Sequence, residues 1–250
     1  MIGRSLRGLA VALGLLTTLP MPLPAEQAPG AGGRAAAWFP LVGALIGGVT
    51  WLTWLGAARV LPPEPAAVMA LLVWVGLTGG LHLDGLADCG DALAAAVPRE
   101  RRLDILRDPR LGTFGAISLI AVILLKATLL MALTPARGLA LVLAASLARG
   151  CVLPVGLAPP ARPEGMAADF ALGLRPRSLL PAAMVPLALA AVMGPRGLAA
   201  LVAGLIVTAG VIALARRRLG GVTGDVMGMT VELVETVVLL VAVLAMGFGG

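Results

Sequence analysis

Long apolar segments, separated by short breaks rich in proline or arginine, are the feature that most constrains this 250-residue chain. A membrane-spanning helix needs about 20 consecutive apolar residues to cross the hydrocarbon core of a bilayer. Hydrophobic residues make up 59% of the sequence and charged residues only 13%, which excludes an ordinary soluble domain. The sequence therefore predicts an all-α polytopic membrane protein with about seven transmembrane helices, at residues 36 to 58, 66 to 82, 113 to 133, 138 to 157, 179 to 193, 197 to 215 and 230 to 248.

The predicted spans and their short connections use nearly the whole chain, so residues 1 to 250 are interpreted as a single integral membrane domain. The first twenty residues combine early arginines with an apolar run from 8 to 19, a pattern shared by signal peptides and by interfacial or re-entrant helices. Prolines at 20, 22 and 24 follow this run without a clean small-residue cleavage site. This ending favours an N-terminal interfacial or re-entrant helix.

The distribution of basic residues predicts the orientation. Fourteen of the 19 Lys and Arg residues fall in the N-terminal region and in the loops 83 to 112, 158 to 178 and 216 to 229, which can share one side. The other side holds only Arg59, Arg137 and Arg196. By the positive-inside rule the rich side is cytoplasmic, so the net charge of +6 indicates membrane topology and not a nucleic-acid surface. Cys89 and Cys151 lack disulfide-framework or zinc-ligand spacing.

The most informative stretch is GGLHLDGLADCGDAL, residues 79 to 93. On a helix, Asp84, Asp88 and Asp91 fall within roughly 60° of one another. Like charges this close repel, so the cluster favours a bound cation, and oxygen ligands favour Mg²⁺ or Mn²⁺. A solvated helix end with scattered acids is the alternative. His82, the only histidine, is a candidate general base, phosphate donor or interfacial hydrogen-bonding residue.

A second acidic stretch is GGVTGDVMG, residues 220 to 228, on the same predicted side. Glycines let a backbone approach a phosphate closely, and Asp225 among them can complete a metal shell. The alternative is a plain helix C-cap after the preceding RRRL. Asp225 is therefore a candidate metal ligand only if the chain brings it next to the first cluster.

Between these two stretches lies LDILRDPRLGTFG, residues 103 to 115. Arg107 and Arg110 offer donor forks that match phosphate oxygens, and Asp108 can hold such a fork in place. An ordinary positive-inside loop with local ion pairs is the alternative. Lys126 and Arg149 fall inside predicted spans, where a charge must face an acid, a cavity or a ligand, or else reach the membrane surface.

Two pairs of glycines have the GxxxG spacing that lets membrane helices pack closely, namely Gly43 with Gly47 and Gly76 with Gly80. Glycine-rich spans also produce such pairs by chance. The spacing alone does not separate these two interpretations.

Taken in order, HLDGLADCGDAL, LRDPRLGTFG and GGVTGDVMG resemble the cobalamin synthase family, and LTTLPMPLP and WFPLVGALIGG near the N-terminus extend the similarity over nearly the whole chain. The resemblance implies a Mg²⁺-dependent enzyme of the inner membrane that joins adenosylcobinamide-GDP to α-ribazole or its 5′-phosphate and releases GMP. The chain departs from the family pattern at Thr18, where an arginine is common, and at Cys89 and Gly90, which replace a common Thr-Ala pair.

The resemblance also implies residue roles. Asp84, Asp88 and Asp225 are expected to bind the metal, with Asp91 shared between ligation and activation of the attacking hydroxyl, and His82 as a second catalytic candidate. Substrate phosphates are expected to bind at four loop residues and at one residue within a predicted span: Arg107, Asp108, Arg110 and Gly112 in the loop, and Arg149 in the span. The lipid bilayer is an obligatory partner, and the sequence leaves a homo-oligomer open.

Three rival classes share parts of this pattern. A CDP-alcohol phosphotransferase uses similar Asp and Mg²⁺ chemistry, but Asp88 stands where its signature has an arginine. An intramembrane prenyltransferase would have a second DxxxD-type motif, and only Asp225 is present at the second position. A transporter would place charges near the bilayer midplane and show repeated halves, and no repeat is visible.

Overall fold

The computed structural model of the chain describes residues 2–24 and 27–247, and regular structure within them is helical. Three single 3₁₀ turns, at Ala36–Trp38, Pro135–Arg137 and Pro176–Ser178, connect longer elements. The α-helices in the described residues are α1 (Ile2–Leu16), α2 (Ala31–Ala35), α3 (Phe39–Ala57), α4 (Pro63–Thr78), α5 (Leu81–Ala94), α6 (Arg99–Ile105), α7 (Thr113–Ala132), α8 (Leu139–Gly156), α9 (Met166–Gly173), α10 (Leu179–Val192), α11 (Pro195–Arg218) and α12 (Gly224–Gly247).

Five helical segments in the described residues are long and apolar enough to cross a membrane. The bent pair of α4 and α5 gives a sixth if it is counted as one span, so the all-α polytopic class is confirmed. The expected span at 179 to 193 is the 14-residue helix α10, shorter than the roughly 20 residues that a crossing needs. The five segments that are long and apolar enough to cross a membrane are Ala31–Ala57, Thr113–Ala132, Leu139–Gly156, Pro195–Arg218 and Gly224–Leu244.

A sharp break separates α4 from α5, within the region where the sequence predicts one span over 66 to 82. The two helices meet at 88°. Gly79 and Gly80 have φ values of 62° and 70°, a left-handed conformation that residues with a Cβ rarely adopt. The backbone N–H of Thr18 donates to the Leu77 carbonyl at 2.8 Å, so the segment after α1 packs on the break. This turn directs α5, which carries the acid cluster, away from the axis of α4.

The centre of the bundle is α8, in which all residues except Leu139, Gly150 and Pro154 are buried. Helix α3 packs against it through Gly43 and Gly47. A Cβ built at either position would overlap the α8 backbone near Ala145 or Leu141. The first GxxxG pair therefore makes the close helix contact that its spacing predicts.

The second GxxxG pair, Gly76 and Gly80, does not make such a contact. A Cβ at either glycine would meet nothing within 4 Å among the atoms that the structure describes. Gly80 instead belongs to the turn between α4 and α5. This pair is a chance spacing in a glycine-rich region, which is the alternative interpretation of the pattern.

The segments rich in arginine meet at one end of the bundle. The Ala161 N–H donates to the Val222 carbonyl at 2.8 Å, which joins the loop after α8 to the loop after α11. Arg99 Nη2 donates to the Ala161 carbonyl at 3.4 Å. The Gly30 N–H donates to Asp169 Oδ1 at 2.9 Å, which ties the N-terminal segment to α9 at the same end. The four basic segments therefore share one side, as the charge count requires, and a cytoplasmic location for that side stays a prediction.

Candidate active site

The first acidic segment forms α5, whose geometry follows from the break before it. The helix starts after Gly80 and carries Asp84 in its first turn, where a carboxylate interacts favourably with the helix dipole. The next residue, Gly85, faces the start of α12. A Cβ at Gly85 would lie 2.8 Å from the Asp225 carbonyl oxygen. Because glycine follows Asp84, α12 can cross α5 directly beside the acid cluster.

The second acidic segment enters the same site from the beginning of α12. Thr223 accepts a hydrogen bond from the Val226 N–H at 3.3 Å, which caps the helix, and its hydroxyl donates to Asp225 Oδ2 at 3.1 Å. Asp225 and Asp84 line one cleft of about 210 Å³, together with His82. The structure therefore brings together the two acidic segments that are far apart in sequence.

The glycines before Asp225 have roles different from the expected phosphate cradle. Gly220 has φ 74° and its N–H donates to the Arg216 carbonyl at 3.1 Å, so it ends α11 as a C-cap glycine. A Cβ at Gly221 would lie 2.5 Å from the Pro159 carbonyl oxygen, so this glycine admits the neighbouring loop. The C-cap interpretation is therefore correct for Gly220, and Asp225 nevertheless lines the cleft.

Most of the other residues that line the cleft are apolar. Leu15 and Leu16 of α1, Phe39 of α3, and Met166 and Phe170 of α9 line it. The cleft thus combines carboxylates with a largely hydrophobic lining. Such a surface fits a ligand with a charged group at one end and an apolar group at the other.

The remaining acids of α5 are placed differently from Asp84. Asp88 lies close enough to Asp84, Asp91 and Asp225 for their charges to repel. Both carboxylate oxygens of Asp91 are engaged at the start of α7, where they accept hydrogen bonds from the N–H groups of Gly112 at 2.8 Å and Gly115 at 2.9 Å. Asp91 is absent from the lining of the cleft and instead caps α7.

The predicted phosphate loop lies at the rim, outside the lining of the cleft. Arg110 donates from Nε and Nη2 to the two oxygens of Asp108, at 2.8 Å and 2.6 Å. These hydrogen bonds lower the pKa of the Asp108 carboxyl to about 2. Arg107 is exposed and Gly112 donates to Asp91, as described above. The structure does not bring this loop into contact with Asp84 or Asp225, and its phosphate role stays a prediction.

Arg149 lies inside the bundle, in a network of four buried charges. Its Nη1 donates to Glu235, which also accepts a hydrogen bond from Lys126. Lys126 Nζ in turn donates to Glu232 Oε2 at 2.5 Å and lies 5.2 Å from the centre of the Trp74 ring. Two cations face two anions, so Lys126 and Arg149 are neutralised by acids from α12 and do not reach the membrane surface.

His82 lies between this network and the cleft. The residue is buried, lines the cleft, and feels the charges of Arg149, Glu235 and Lys126. Its Nδ1 atom has no hydrogen-bond partner in the described part of the chain. An unpaired buried ring nitrogen at the cleft can hydrogen-bond a ligand.

The family model for cobalamin-5-phosphate synthase matches residues 8–243. The chain belongs to the cobalamin-5-phosphate synthase family. A relative named adenosylcobinamide-GDP ribazoletransferase in Pseudomonas paraeruginosa is 44% identical over 242 residues, which cover 94% of this chain and 97% of that relative. Relatives of the same name in Novosphingobium aromaticivorans and Deinococcus radiodurans are 42% and 41% identical, over 94% and 93% of this chain and 95% and 84% of their own. No solved structure matches the chain.

Membership in the cobalamin-5-phosphate synthase family confirms the resemblance seen in the sequence motifs. It identifies the chain as a transferase of cobalamin synthesis. The interpretations as a CDP-alcohol phosphotransferase, a prenyltransferase or a transporter are therefore set aside. Both cysteines, Cys89 and Cys151, are buried and free.

The donor set of the cleft supplies part of what a Mg²⁺ ion requires. Within residues 2–24 and 27–247, no three His, Cys, Asp or Glu side chains are grouped closely enough to hold a metal by themselves. Mg²⁺ is, however, usually bound by one or two carboxylates together with waters and substrate phosphates. Asp84 and Asp225 supply two carboxylates on one cleft, and no described Lys, Arg or His forms a salt bridge within 4.0 Å of either. These carboxylates fit a Mg²⁺ ion shared with a phosphate.

Two features of the cleft and its neighbouring charge network were not predicted from the sequence. Arg162 lines the cleft, although in the sequence it is only one of several arginines in basic loops. Glu232 and Glu235 had no assigned role. For these acids a signal was present, since two cations and two carboxylates inside apolar spans predict mutual pairing.

Proposed function

We propose that this chain is a Mg²⁺-dependent adenosylcobinamide-GDP ribazoletransferase. It joins adenosylcobinamide-GDP to α-ribazole, or to α-ribazole 5′-phosphate, and releases GMP. The observation that carries this proposal is the cleft that combines Asp84 of α5 and Asp225 of α12 with a largely apolar lining. Family membership and the names of the relatives supply the reaction.

In this reaction a ribose hydroxyl attacks the phosphorus that bears cobinamide, and the bond to GMP breaks. Such a step depends on positioning and charge neutralisation more than on covalent chemistry from the protein. Asp84 and Asp225 would hold Mg²⁺ with Asp88 nearby, and the bound ion would neutralise charge on the diphosphate oxygens. The apolar lining receives the less polar parts of the substrates and excludes water from the cleft.

His82 is our candidate to receive the hydroxyl proton, because it lines the cleft and its Nδ1 has no hydrogen-bond partner among the described residues. Asp91 is less suited to that role, since both of its oxygens accept hydrogen bonds from the backbone of α7. We assign Asp91 to holding α7 and the rim loop in place. Arg107 and Arg110 at this rim can meet the substrate phosphates as they approach.

The location proposed for the site is the cytoplasmic rim of the inner membrane. The cleft lies at the end of the bundle where the arginine-rich loops meet, and such loops are retained on the cytoplasmic side. The nucleotide portion of adenosylcobinamide-GDP and the released GMP are both charged and water-soluble. A cleft at this rim can exchange them with the cytoplasm while the helices stay in lipid.

GMP release tests the proposed reaction. The detergent-purified protein is mixed with adenosylcobinamide-GDP, Mg²⁺ and either α-ribazole or α-ribazole 5′-phosphate, and GMP is measured by chromatography. Asp84→Asn is expected to abolish release because it removes a metal ligand, whereas Asp225→Asn is expected to raise the Mg²⁺ concentration needed for half-maximal activity. Asp104→Asn, at an exposed acid paired with Arg101, is the matched control and is expected to leave both values unchanged.

Two results would contradict separate parts of the proposal. If the wild-type protein releases no GMP in either acceptor's presence, the proposed reaction is wrong. If Asp84→Asn keeps near-normal activity at saturating Mg²⁺, the reaction stands and the metal assignment fails. Unchanged Mg²⁺ dependence in Asp225→Asn would remove Asp225 alone from the ligand set.

A further inference from the structure

Arg162 is a cation of the cleft that has no partner to neutralise it. It lies in the loop between α8 and α9 and lines the cleft together with Asp84 and Asp225. Its guanidinium is near enough to Asp225 to feel that charge, yet no described carboxylate forms a salt bridge with it within 4.0 Å. Its Nη1 atom is buried and has no hydrogen-bond partner in the described segments.

The loop that carries Arg162 is fixed in place by the loop that leads to Asp225. The Ala161 N–H donates to the Val222 carbonyl at 2.8 Å, and the Val222 N–H donates to the Pro159 carbonyl at 2.9 Å. These two bonds form a short parallel bridge between the segments. Gly221 makes this approach possible, because a Cβ there would lie 2.5 Å from the Pro159 carbonyl oxygen. The backbone that carries Arg162 is therefore held next to the segment that leads to Asp225.

A buried guanidinium nitrogen without a partner is unfavourable, since it has lost water and gained no hydrogen bond. A cation that shares a cleft with two carboxylates, and that forms no salt bridge with them, is suited to an anion that also coordinates a metal ion. Phosphate has this chemistry, because its oxygens accept hydrogen bonds from a guanidinium fork and also coordinate Mg²⁺.

We propose that Arg162 binds phosphate oxygens of a substrate within the cleft that it shares with Asp84 and Asp225. This inference rests on the proposed function and adds a substrate-binding residue to it. The phosphate has two possible sources, the diphosphate of adenosylcobinamide-GDP and the 5′-phosphate of phosphorylated α-ribazole. Arg162 binds either through the same fork of donors, and kinetics with two acceptors separates them.

The test compares Arg162→Gln and Arg162→Lys with wild type in the GMP-release assay, using α-ribazole and α-ribazole 5′-phosphate as alternative acceptors. Loss of a charge-assisted hydrogen bond is expected to raise a KM or lower kcat/KM by about 10- to 100-fold in Arg162→Gln. Arg162→Lys keeps the positive charge but lacks the guanidinium fork, so its kcat/KM is expected to lie between those of wild type and Arg162→Gln. Arg177→Gln, at an exposed arginine of the same end, is the matched control and is expected to behave as wild type.

The two acceptor arms distinguish the sources of phosphate. A rise in the KM for adenosylcobinamide-GDP with both acceptors places Arg162 on the donor diphosphate. A loss confined to the phosphorylated acceptor places it on the 5′-phosphate. Arg162→Gln activity within twofold of wild type in both arms would overturn the inference.

A binding measurement separates this inference from the proposed reaction. GDP with Mg²⁺ is titrated into wild-type and Arg162→Gln protein by calorimetry, and phosphate-bearing α-ribazole is titrated in a second series. Weaker binding of either probe in the variant, with an unchanged melting temperature, supports the phosphate contact even if the wild type releases no GMP. Equal binding of both probes to the two proteins refutes it.

Discussion

Glu235→Gln tests the buried charge network at its central acid. Glu235 accepts hydrogen bonds from Lys126 and Arg149, and its side chain is 1% exposed. After the substitution Lys126 retains Glu232 at 2.5 Å, whereas Arg149 keeps the Ala145 carbonyl at 3.3 Å and can meet only a neutral amide oxygen at position 235. The variant therefore leaves one cation of the bundle interior without a carboxylate partner.

Removing one partner of a buried ion pair costs about 3–5 kcal/mol. For a chain of this size, each kcal/mol lowers the melting temperature by roughly 2–4 °C, so a fall of roughly 6 to 20 °C is expected. The assay is the temperature at which half of the detergent-purified protein is lost from the monodisperse peak after heating. Glu64→Gln, at an exposed glutamate in the first turn of α4, is the matched control and is expected to melt as wild type.

A double variant distinguishes unpaired charge from lost packing. In Arg149→Met with Glu235→Gln, the stranded cation is removed and the Lys126–Glu232 pair remains, so most of the lost stability is expected to return. A single Glu235→Gln variant that melts within about 2 °C of wild type refutes the reasoning, since it falls well short of the shift worked from the buried-pair value. A double variant less stable than the single one would assign the effect to packing.

Three further predictions concern the end of the bundle that holds the cleft. Gly221→Ala is expected to separate the two bridged loops, because its Cβ would press on the Pro159 carbonyl. It should reduce GMP release more than the control Gly48→Ala, whose Cβ meets open space, and equal activity of the two variants would contradict the bridge. Asp91→Asn is expected to lower stability by about 1 kcal/mol, since one N–H of the α7 terminus loses its acceptor; unchanged melting would contradict the cap. Cysteine substituted at exposed Arg110 is expected to be labelled from the cytoplasm and cysteine at exposed Glu64 from the opposite side, and the reverse result would invert the orientation.

The spans could be predicted closely from the sequence where apolar runs have clear ends. The expected segments 113 to 133 and 138 to 157 correspond to Thr113–Ala132 and Leu139–Gly156. The break between α4 and α5 could not be predicted in this way. Hydropathy reports whether a segment enters lipid, whereas the 88° turn depends on the left-handed backbone of Gly79 and Gly80, which hydropathy does not measure.

For the candidate site, periodicity predicted that the acids of α5 share a face, and the structure adds which of them lines the cleft. Asp84 does so, whereas Asp91 is engaged at the N-terminus of α7. The importance of Arg162 could not be predicted, because its position depends on a bridge between two loops that are distant in sequence. A loop arginine looks the same in sequence whether it serves topology or a ligand.

The charge network and the cleft are linked through α12. Glu232 follows Asp225 by seven residues, so the two lie only about 20° apart around the helix, with roughly 10 Å of rise between them. Lipid gives no hydrophobic force that selects a helix rotation, so polar pairs and close glycine contacts must select it. Glu232 and Glu235 fix the rotation of α12 inside the bundle, and the contact of Gly85 with the Asp225 backbone fixes it at the rim. The same rotation that pairs the buried charges therefore turns Asp225 toward Asp84.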